Sequence, residues 1–201
     1  MTQEEMSERK AQLRVGLIRA RDSLSEGVRQ EKSAALCRHI LSLEEYRSAK
    51  TVMIYKYVRG EVQLGALEEA NACAPEAERK RFVYPVCLSE GEMIAICPGS
   101  PDTDSIAWKK GAFGIPEPDP ARGEIVPPEE IDLVICPCTG VDERGMRLGM
   151  GGGFYDRFLP RCHGAKVLAA VFEVQRIPEV PALPWDQPVD GVVTERRAEL
   201  L

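Results

Sequence analysis

The spacing of apolar residues predicts two helices at the start of the chain. Four apolar side chains recur at intervals of seven, four and seven positions, on one stripe of a helix over residues 4–24: Met6, Leu13, Leu17 and Leu24. Ser25 is a favourable N-cap, and the apolar residues after it keep a helical spacing as far as Tyr46. We therefore expect an N-terminal hairpin of two helices.

Basic residues lie beside the apolar stripe of the first helix. At about 100° per residue, Lys10, Arg14 and Arg21 fall roughly 40 to 80° from the centre of that stripe. Their aliphatic stems can lie along the edge of the core while their charged groups converge on one border of the helix. The pattern therefore predicts a local cluster of positive charge.

Beyond residue 50 the pattern changes to short runs of apolar and β-branched residues, which are typical of buried strands. Six such runs are predicted as strands, over residues 51–55, 82–84, 93–96, 131–135, 167–172 and 191–194. Helical segments fall between some of them, over residues 64–74 and 153–162. The alternation predicts an α/β fold, a layered sandwich with a central mixed, largely parallel sheet flanked by helices.

One domain over residues 1–201 is expected, because the length fits a single core and no composition break divides the chain. Residues 98–128 are rich in proline and glycine and are predicted to form a long structured connection within that domain.

Composition and charge narrow the function classes. The chain has 44% hydrophobic and 29% charged residues, which is typical of globular proteins and excludes a disordered or fibrous one. Its net charge of −6 argues against nucleic acid or a membrane surface as partner, so an anionic ligand would need a local basic cluster. An acidic start and the lack of a long apolar run predict a cytoplasmic protein. Seven dispersed cysteines are expected to be reduced thiols.

The segment most informative about chemistry is 132–159, which contains a strand, a glycine-rich loop and then a helix. The glycines at 149 and 151–153 allow positive φ and bring backbone N–H groups close to a bound anion, and the helix that follows adds its positive end. A Walker A loop is excluded because no lysine lies in the run, and the dinucleotide fingerprint fails because Phe154 replaces its third glycine.

Two charged residues flank this loop. Arg147 precedes it and Asp156 follows it, and a cation for phosphate with a carboxylate for a hard metal is what binding of a magnesium nucleotide requires. Taken alone, the loop is also compatible with a strand-to-helix turn that binds nothing, and Asp156 with an acid favoured in a first helical turn.

The block from Arg147 to Arg157, Arg-Leu-Gly-Met-Gly-Gly-Gly-Phe-Tyr-Asp-Arg, resembles the signature of the 5-formyltetrahydrofolate cyclo-ligase family. Further family marks follow the same order along nearly the whole chain: Lys10-x-x-x-Arg14, Gly60-Glu61-Val62, Phe-Gly-Ile-Pro-Glu-Pro at 113–118, Gln175, and Asp186-x-Pro-x-Asp190. The resemblance implies a monomeric enzyme that uses ATP and Mg²⁺ to convert 5-formyltetrahydrofolate into 5,10-methenyltetrahydrofolate, ADP and phosphate.

The resemblance also implies roles for individual residues. Lys10, Arg14 and Arg147 would contact the ATP phosphates as the catalytic cations, and Asp156 and Asp186 would hold the metal. Lys56 and Glu61 would bind the folate, with Glu61 accepting from the pterin ring. The loop would contact nucleotide through Leu148, Gly149, Met150, Gly151, Gly152, Gly153, Phe154 and Tyr155, and folate through the last six of these.

Four positions depart from the family pattern, at Leu64, Val141, Met146 and Trp185. They concern the shape of the folate pocket and leave the charged roles intact. Two alternative functions therefore remain open. One is a member that binds formylfolate without catalysis, and the other is an ATP-dependent activator of a different carbonyl or amide substrate.

Overall fold

A computed structural model describes residues 2–88, 91–98, 108–111 and 114–201. Its α-helices are α1 (Gln3–Asp22), α2 (Glu26–Ser42), α3 (Glu44–Ser48), α4 (Gly65–Cys73) and α5 (Phe154–Phe158). Ser25 caps α2 as predicted, its side chain accepting from the Val28 N–H. The predicted end of that helix near Tyr46 is wrong, because Leu43 adopts an extended conformation and starts the separate helix α3.

All six predicted strands are present, and further short strands accompany them. They are β1 (Thr51–Met53), β2 (Arg81–Cys87), β3 (Met93–Cys97), β4 (Trp108–Lys110), β5 (Pro116–Pro118), β6 (Glu124–Val126), β7 (Leu133–Pro137), β8 (Gly140–Val141), β9 (Arg147–Leu148), β10 (Lys166–Ala170), β11 (Gly191–Val193) and β12 (Ala198–Leu200). The predicted connection over residues 98–128 holds β4, β5 and β6, while residues 99–107 and 112–113 within it lie outside the described part of the chain.

The central sheet has the order β12-β11-β10-β7-β1-β2-β3-β6. Strands β11, β10, β7, β1 and β2 run parallel. Strand β12 pairs antiparallel with β11 on one side, and on the other side β3 pairs antiparallel with both β2 and β6. The mixed, largely parallel sheet is therefore confirmed. The chain goes from β1 to its neighbour β2, but from β7 to its neighbour β10 on the other side, so connections leave the adjacent carboxyl ends of β1 and β7 in opposite directions. Open α/β sheets bind ligands at such a point.

The sheet is covered on both faces, which explains why its strands are continuously apolar rather than alternating. Val52 and Leu133 point to one face, where they pack with Leu36 of α2. Met53 and Val134 point to the other face and pack with Phe158 of α5. Successive residues of one strand thus enter different cores, as the twofold repeat of a strand requires.

The two N-terminal helices bury their apolar residues in different places. Leu17 of α1 packs with Leu148 and Val180, apart from both sheet cores, whereas α2 covers the sheet itself. The helices are consecutive as expected, but α1 is directed toward the segment that follows β7. Among the described residues no helix combines the length and apolar character of a membrane span, and all seven cysteines are free.

Candidate active site

A cleft of about 850 Å³ opens at the carboxyl ends of β1, β2 and β7. Its walls come from α1, from the segments that follow these strands, and from the residues around Asp186. Every candidate residue singled out in the sequence lines this cleft: Lys10, Arg14, Lys56, Glu61, Arg147, Leu148, Gly149, Met150, Gly151, Gly152, Gly153, Phe154, Tyr155, Asp156 and Asp186.

A short β-hairpin precedes the glycine loop, which the sequence did not indicate. Gly140 pairs with Leu148 and Val141 with Arg147, so the segment after β7 turns back before it enters the loop. The predicted order of strand, glycine loop and helix is present in β7, the loop and α5, with this hairpin between the strand and the loop. A side chain at Gly140 would lie 2.6 Å from the Leu17 side chain, so glycine permits the close approach of α1. The hairpin sets Arg147 at the rim of the cleft.

The glycine loop is attached to α1. Arg14 donates from Nε to the Gly149 carbonyl oxygen over 2.7 Å. Gly151 lies beside the Arg14 guanidinium and has a φ of +102°, a backbone conformation that favours glycine at this turn. Burial lowers the pKa of Arg14, and the nearby Asp186 opposes that shift. Arginine stays charged in proteins, so Arg14 remains a cation beside the loop.

Two aspartates of the cleft, Asp156 and Asp186, are linked through Gln187, the residue that follows Asp186. Asp156 accepts from Arg147 Nη2 over 2.8 Å and from the backbone N–H of Gln187 over 3.0 Å. Asp186, the residue before Gln187, forms an ion pair with Lys10 and accepts a hydrogen bond from the backbone N–H of Leu183. Each carboxylate is thus neutralised by one of the cations expected to contact phosphate.

These donors suit a magnesium ion that arrives with a nucleotide. Within the described ranges no group of three or more His, Cys, Asp or Glu side chains could hold a metal by itself. Mg²⁺ commonly uses one or two carboxylates together with phosphate oxygens, and Asp156 and Asp186 provide that number. Arg147 Nε is a buried donor without a partner among the described residues, which leaves it available to an anion.

Glu61 lies at the other end of the cleft, on the segment that follows β1. Its Oε2 accepts from the backbone N–H of Val58 over 3.1 Å. Burial raises the pKa of Glu61, while the Val58 hydrogen bond and the charges of Arg21 and Arg59 act to lower it. Glu61 is thus a poorly solvated acid whose ionised form depends on neighbouring positive charge.

The buried hydroxyl groups of two tyrosines lie at this end of the cleft. The hydroxyl groups of Tyr55 and Tyr155 have no hydrogen-bond partner among the described residues. Burial raises the pKa of each tyrosine well above its ordinary value, so both remain neutral O–H donors. Buried polar groups are normally hydrogen-bonded, so these two hydroxyls are available to a polar ligand.

Lys56 is held in the wall of the cleft. Its ammonium pairs with Glu68 of α4 over 2.5 Å and lies 4.9 Å from the Trp108 ring centroid and 5.2 Å from that of Tyr84. The two rings meet edge to face, and the Tyr84 hydroxyl donates to Glu68. The Lys56 side chain is therefore already bound within the protein.

Sequence reasoning missed Asp142, which is fully buried at the start of the hairpin turn. Its carboxylate accepts from the backbone N–H groups of Arg144, Met146 and Val180, at 2.9, 2.9 and 3.0 Å. These bonds tie the hairpin that carries Arg147 to the segment that leads to Asp186. The only available signal was an Asp followed three residues later by Gly145, a pattern typical of turns.

Two of the family marks have structural positions that the sequence could not give. The buried Gln175 side chain donates to the carbonyls of Cys138 and Thr139 and accepts from Phe172 N, and so joins the ends of β7 and β10. In the 113–118 motif, Glu117 lines the cleft and burial raises its pKa, whereas Phe113 lies outside the described residues.

The four departures from the family pattern occupy different environments. Val141 and Leu64 are buried in the two sheet cores, and Met146 packs against the Leu17 cluster. Trp185 lines the cleft beside Asp186 with about half of its surface exposed. Three of the four changes therefore alter packing around the cleft rather than its lining.

Comparison with known proteins decides the family. A model of the 5-formyltetrahydrofolate cyclo-ligase family matches residues 6–195. The chain belongs to this family. A 5-formyltetrahydrofolate cyclo-ligase of Mycolicibacterium smegmatis is 33% identical over 201 residues, with 94% of each chain covered. That of Haemophilus influenzae is 26% identical over 189 residues, which cover 93% of this chain and 98% of the relative.

Solved structures agree with the family in fold. The 5,10-methenyltetrahydrofolate synthetase of Aquifex aeolicus matches with a TM-score of 0.80 and 32% identity, covering 96% of this chain and 92% of that protein. The predicted family, the α/β fold and the class of enzyme, a ligase of folate one-carbon metabolism, are confirmed.

Proposed function

We propose that this enzyme converts 5-formyltetrahydrofolate into 5,10-methenyltetrahydrofolate at the expense of ATP, with Mg²⁺ as its metal, and releases ADP and phosphate. One observation carries the proposal: a single cleft has a glycine loop with three cations at one end and, at the other, a poorly solvated acid with two tyrosine hydroxyls that have no partner among the described residues. A phosphate donor and a folate can therefore lie side by side within one chain, which also supports a monomeric, single-domain enzyme.

The nucleotide end would bind the phosphates. Lys10, Arg14 and Arg147 supply positive charge, and the loop from Gly149 to Gly153, which lines the cleft, supplies backbone N–H groups. Arg147 is almost fully buried, so its charge acts with little screening by water. These residues hold the terminal phosphoryl group in line with its acceptor and stabilise the charge that develops during transfer.

Asp156 and Asp186 would hold the metal, since they are adjacent carboxylates at the same end of the cleft. Bound there, Mg²⁺ would neutralise phosphate charge and orient the transferring group. Binding of nucleotide would then exchange partners, with Lys10 and Arg147 turning from the aspartates to the phosphates.

The folate end would orient the substrate. An ionised Glu61 accepts from adjacent ring N–H donors of a pterin, and the Tyr55 and Tyr155 hydroxyls donate to its acceptors. Phe154 and Tyr155 provide aromatic faces beside the loop for stacking. A folate bound in this way would have its formyl group toward the glycine loop.

The reaction needs alignment rather than a protein nucleophile. The formyl oxygen attacks the terminal phosphorus and breaks its bond to ADP, which gives an activated imidate. The neighbouring folate amine then attacks the formyl carbon and loses its proton, and phosphate leaves as the ring closes. The thiols beside the cleft fit this scheme, since burial raises the pKa of Cys87 to about 11 and that of Cys138 higher still, so both stay protonated.

The direct test follows the near-ultraviolet absorbance of the methenyl product in a mixture of protein, 5-formyltetrahydrofolate, Mg²⁺ and ATP. We expect a rise that requires both ATP and metal, with one ADP formed per product. Tight folate binding without ADP would instead identify a binding protein. ATP turnover with another amide but none with formylfolate would identify a different activating enzyme.

A further inference from the structure

The turn that carries Glu61 contains a strained residue. Arg59 has a φ of +49°, the only positive φ of a non-glycine residue in the described ranges. Gly60 follows with a φ of +79°, and the Glu61 N–H donates to the Val58 carbonyl over 3.0 Å to close the turn. The left-handed region is unfavourable for a residue with a side chain, so surrounding contacts must hold such a residue in place.

Arg21 at the end of α1 makes that contact. Its guanidinium is 2% exposed and donates from Nη2 to the carbonyl oxygen of Arg59, the strained residue itself. A Cβ built on Gly60 would lie 3.6 Å from Arg21 Nε and 3.1 Å from Asp22 Oδ1, so the turn lies directly against the helix end. Arg21 also lines the cleft.

The charges around Glu61 also connect it to Arg21. The groups that face Glu61 are Arg21 from α1, Arg59 from its own turn, Tyr55 after β1, Cys138 after β7 and Tyr155 of α5. Among them only the two arginines are positive, and the tyrosines and the thiol stay neutral. The arginines and the Val58 N–H therefore offset the burial that raises the pKa of Glu61.

We propose that Arg21 is the positioning residue of the folate end, which fixes the turn at Arg59 and keeps Glu61 in place and ionised for the substrate. This inference rests on the proposed function, in which Glu61 binds the pterin. It gives α1 a second task, because the same helix carries Arg14 to the glycine loop, Lys10 to Asp186 and Arg21 to the turn at Arg59.

The test compares Arg21→Met, which removes the positive charge, with Arg21→Lys, which keeps the charge and removes the planar guanidinium group. Arg79→Lys is the matched control, since Arg79 also donates to backbone carbonyls, of Ala74 and Ala72, and lies outside the cleft. For each variant we would measure the KM for 5-formyltetrahydrofolate, the KM for ATP, the pH profile of kcat/KM for folate, and Tm.

Arg21→Met should raise the KM for folate at least tenfold, roughly the effect of losing one charge-assisted contact, while the KM for ATP changes by less than about twofold. Without the Arg21 charge the pKa of Glu61 rises, so the acidic limb of the pH profile moves to higher pH. Arg21→Lys should weaken folate binding less, by about threefold, and leave the limb in place. Arg79→Lys should change neither constant.

Glu61→Gln completes a double-mutant cycle, because Arg21→Met should have little further effect on folate binding in a protein without the Glu61 charge. An unchanged folate KM, an equal rise of both KM values, or an unshifted pH limb in Arg21→Met would overturn the inference. If Arg21→Met does not fold, the same comparison is made with Arg21→Lys, alone and combined with Glu61→Gln, and its folate KM decides whether the inference holds. Equilibrium binding of 5-formyltetrahydrofolate to each variant provides the same comparison without turnover. Failure of the proposed reaction in the unmodified enzyme can therefore be distinguished from failure of the inference about Arg21.

Discussion

The two ends of the cleft differ in how their polar groups are satisfied before any ligand binds. At the nucleotide end each acid already has a cation, with Asp156 paired to Arg147 and Asp186 to Lys10. At the folate end the Tyr55 and Tyr155 hydroxyls are buried without partners among the described residues. One end must exchange internal ion pairs to bind its ligand, whereas the other gains hydrogen bonds that it lacked. The first arrangement suits phosphates accompanied by a metal, and the second suits selective recognition of a neutral ring.

The largest effect on activity is expected from the loss of Arg147 at the nucleotide end of the cleft. Arg147→Ala should lower kcat/KM by about 100- to 1,000-fold, because it removes the buried cation that the proposed function assigns to the transferring phosphoryl group. The same assay with Arg144→Ala is the control, since that residue lies in the same hairpin with its side chain 60% exposed. Arg144→Ala should stay within about twofold of the unmodified enzyme. Full turnover in a folded Arg147→Ala protein would refute the assignment of Arg147.

Asp142 allows the nucleotide end to be loosened without removing any of its charges. Asp142→Asn replaces one acceptor oxygen with an amide group that donates, so two donors then face each other at one backbone N–H. The hairpin and the Val180 segment are therefore no longer held by the same carboxylate. We expect kcat/KM to fall about tenfold or more and the unfolding free energy to fall by about 1–3 kcal/mol.

Asp132→Asn is the matched control for Asp142. Asp132 also accepts from two backbone N–H groups, those of Lys50 and Thr51 at 2.8 Å, but it lies at the opposite edge of the sheet. Its loss should lower Tm and leave KM and kcat unchanged at a temperature where the protein is folded. An equal loss of activity in both variants would mean that Asp142 acts only through stability.

The folate end can be tested by removing an oxygen atom. Tyr55→Phe and Tyr155→Phe delete hydroxyls that have no partner in the part of the chain that the structure describes. Each variant should therefore be as stable as the unmodified protein or more stable, by up to about 1–2 kcal/mol. The KM for folate should nevertheless rise about tenfold. Tyr46→Phe, in the core away from the cleft, is the control and should leave that KM unchanged. Loss of stability without loss of folate affinity would contradict the comparison.

The smallest effect concerns stability in acid. Burial opposes ionisation of Asp142, but its hydrogen bonds from Val180, Arg144 and Met146 lower its pKa overall. An acid with a lowered pKa in the folded state stabilises the protein above its unfolded pKa of about 3.9, and this contribution is lost as the pH falls through the folded value. The difference in unfolding free energy between the unmodified protein and Asp142→Asn should therefore shrink below about pH 4, as measured by urea titration.

The nucleotide end was the more predictable of the two from sequence. Its cation, glycines and first aspartate are consecutive from Arg147 to Asp156, so local motif chemistry could identify them. Lys10 and Arg14 were indicated by their helical spacing, and the structure brings both to this loop. Asp186 and Glu61 lie far from the motif, and only the family resemblance suggested them.

What could not be predicted depends on tertiary contacts. The hairpin of β8 and β9 has two-residue strands, too short to show a hydrophobic period. The Tyr55 hydroxyl is buried without a partner among the described residues because the ends of β1 and β7 meet α5 there, and no local sequence pattern reports such a meeting. The strain at Arg59 likewise becomes visible only with backbone angles in hand, since nothing about an arginine before a glycine requires it.

The docking of α1 has a consequence for the order in which the protein can be built. Arg14 reaches Gly149 across 135 positions of the sequence, and Lys10 reaches Asp186 across 176. During synthesis the first helix therefore waits without its partners until most of the chain has left the ribosome. The catalytic cleft is among the last parts to be completed, so a translation product truncated before residue 149 could form part of the sheet but would hold no nucleotide.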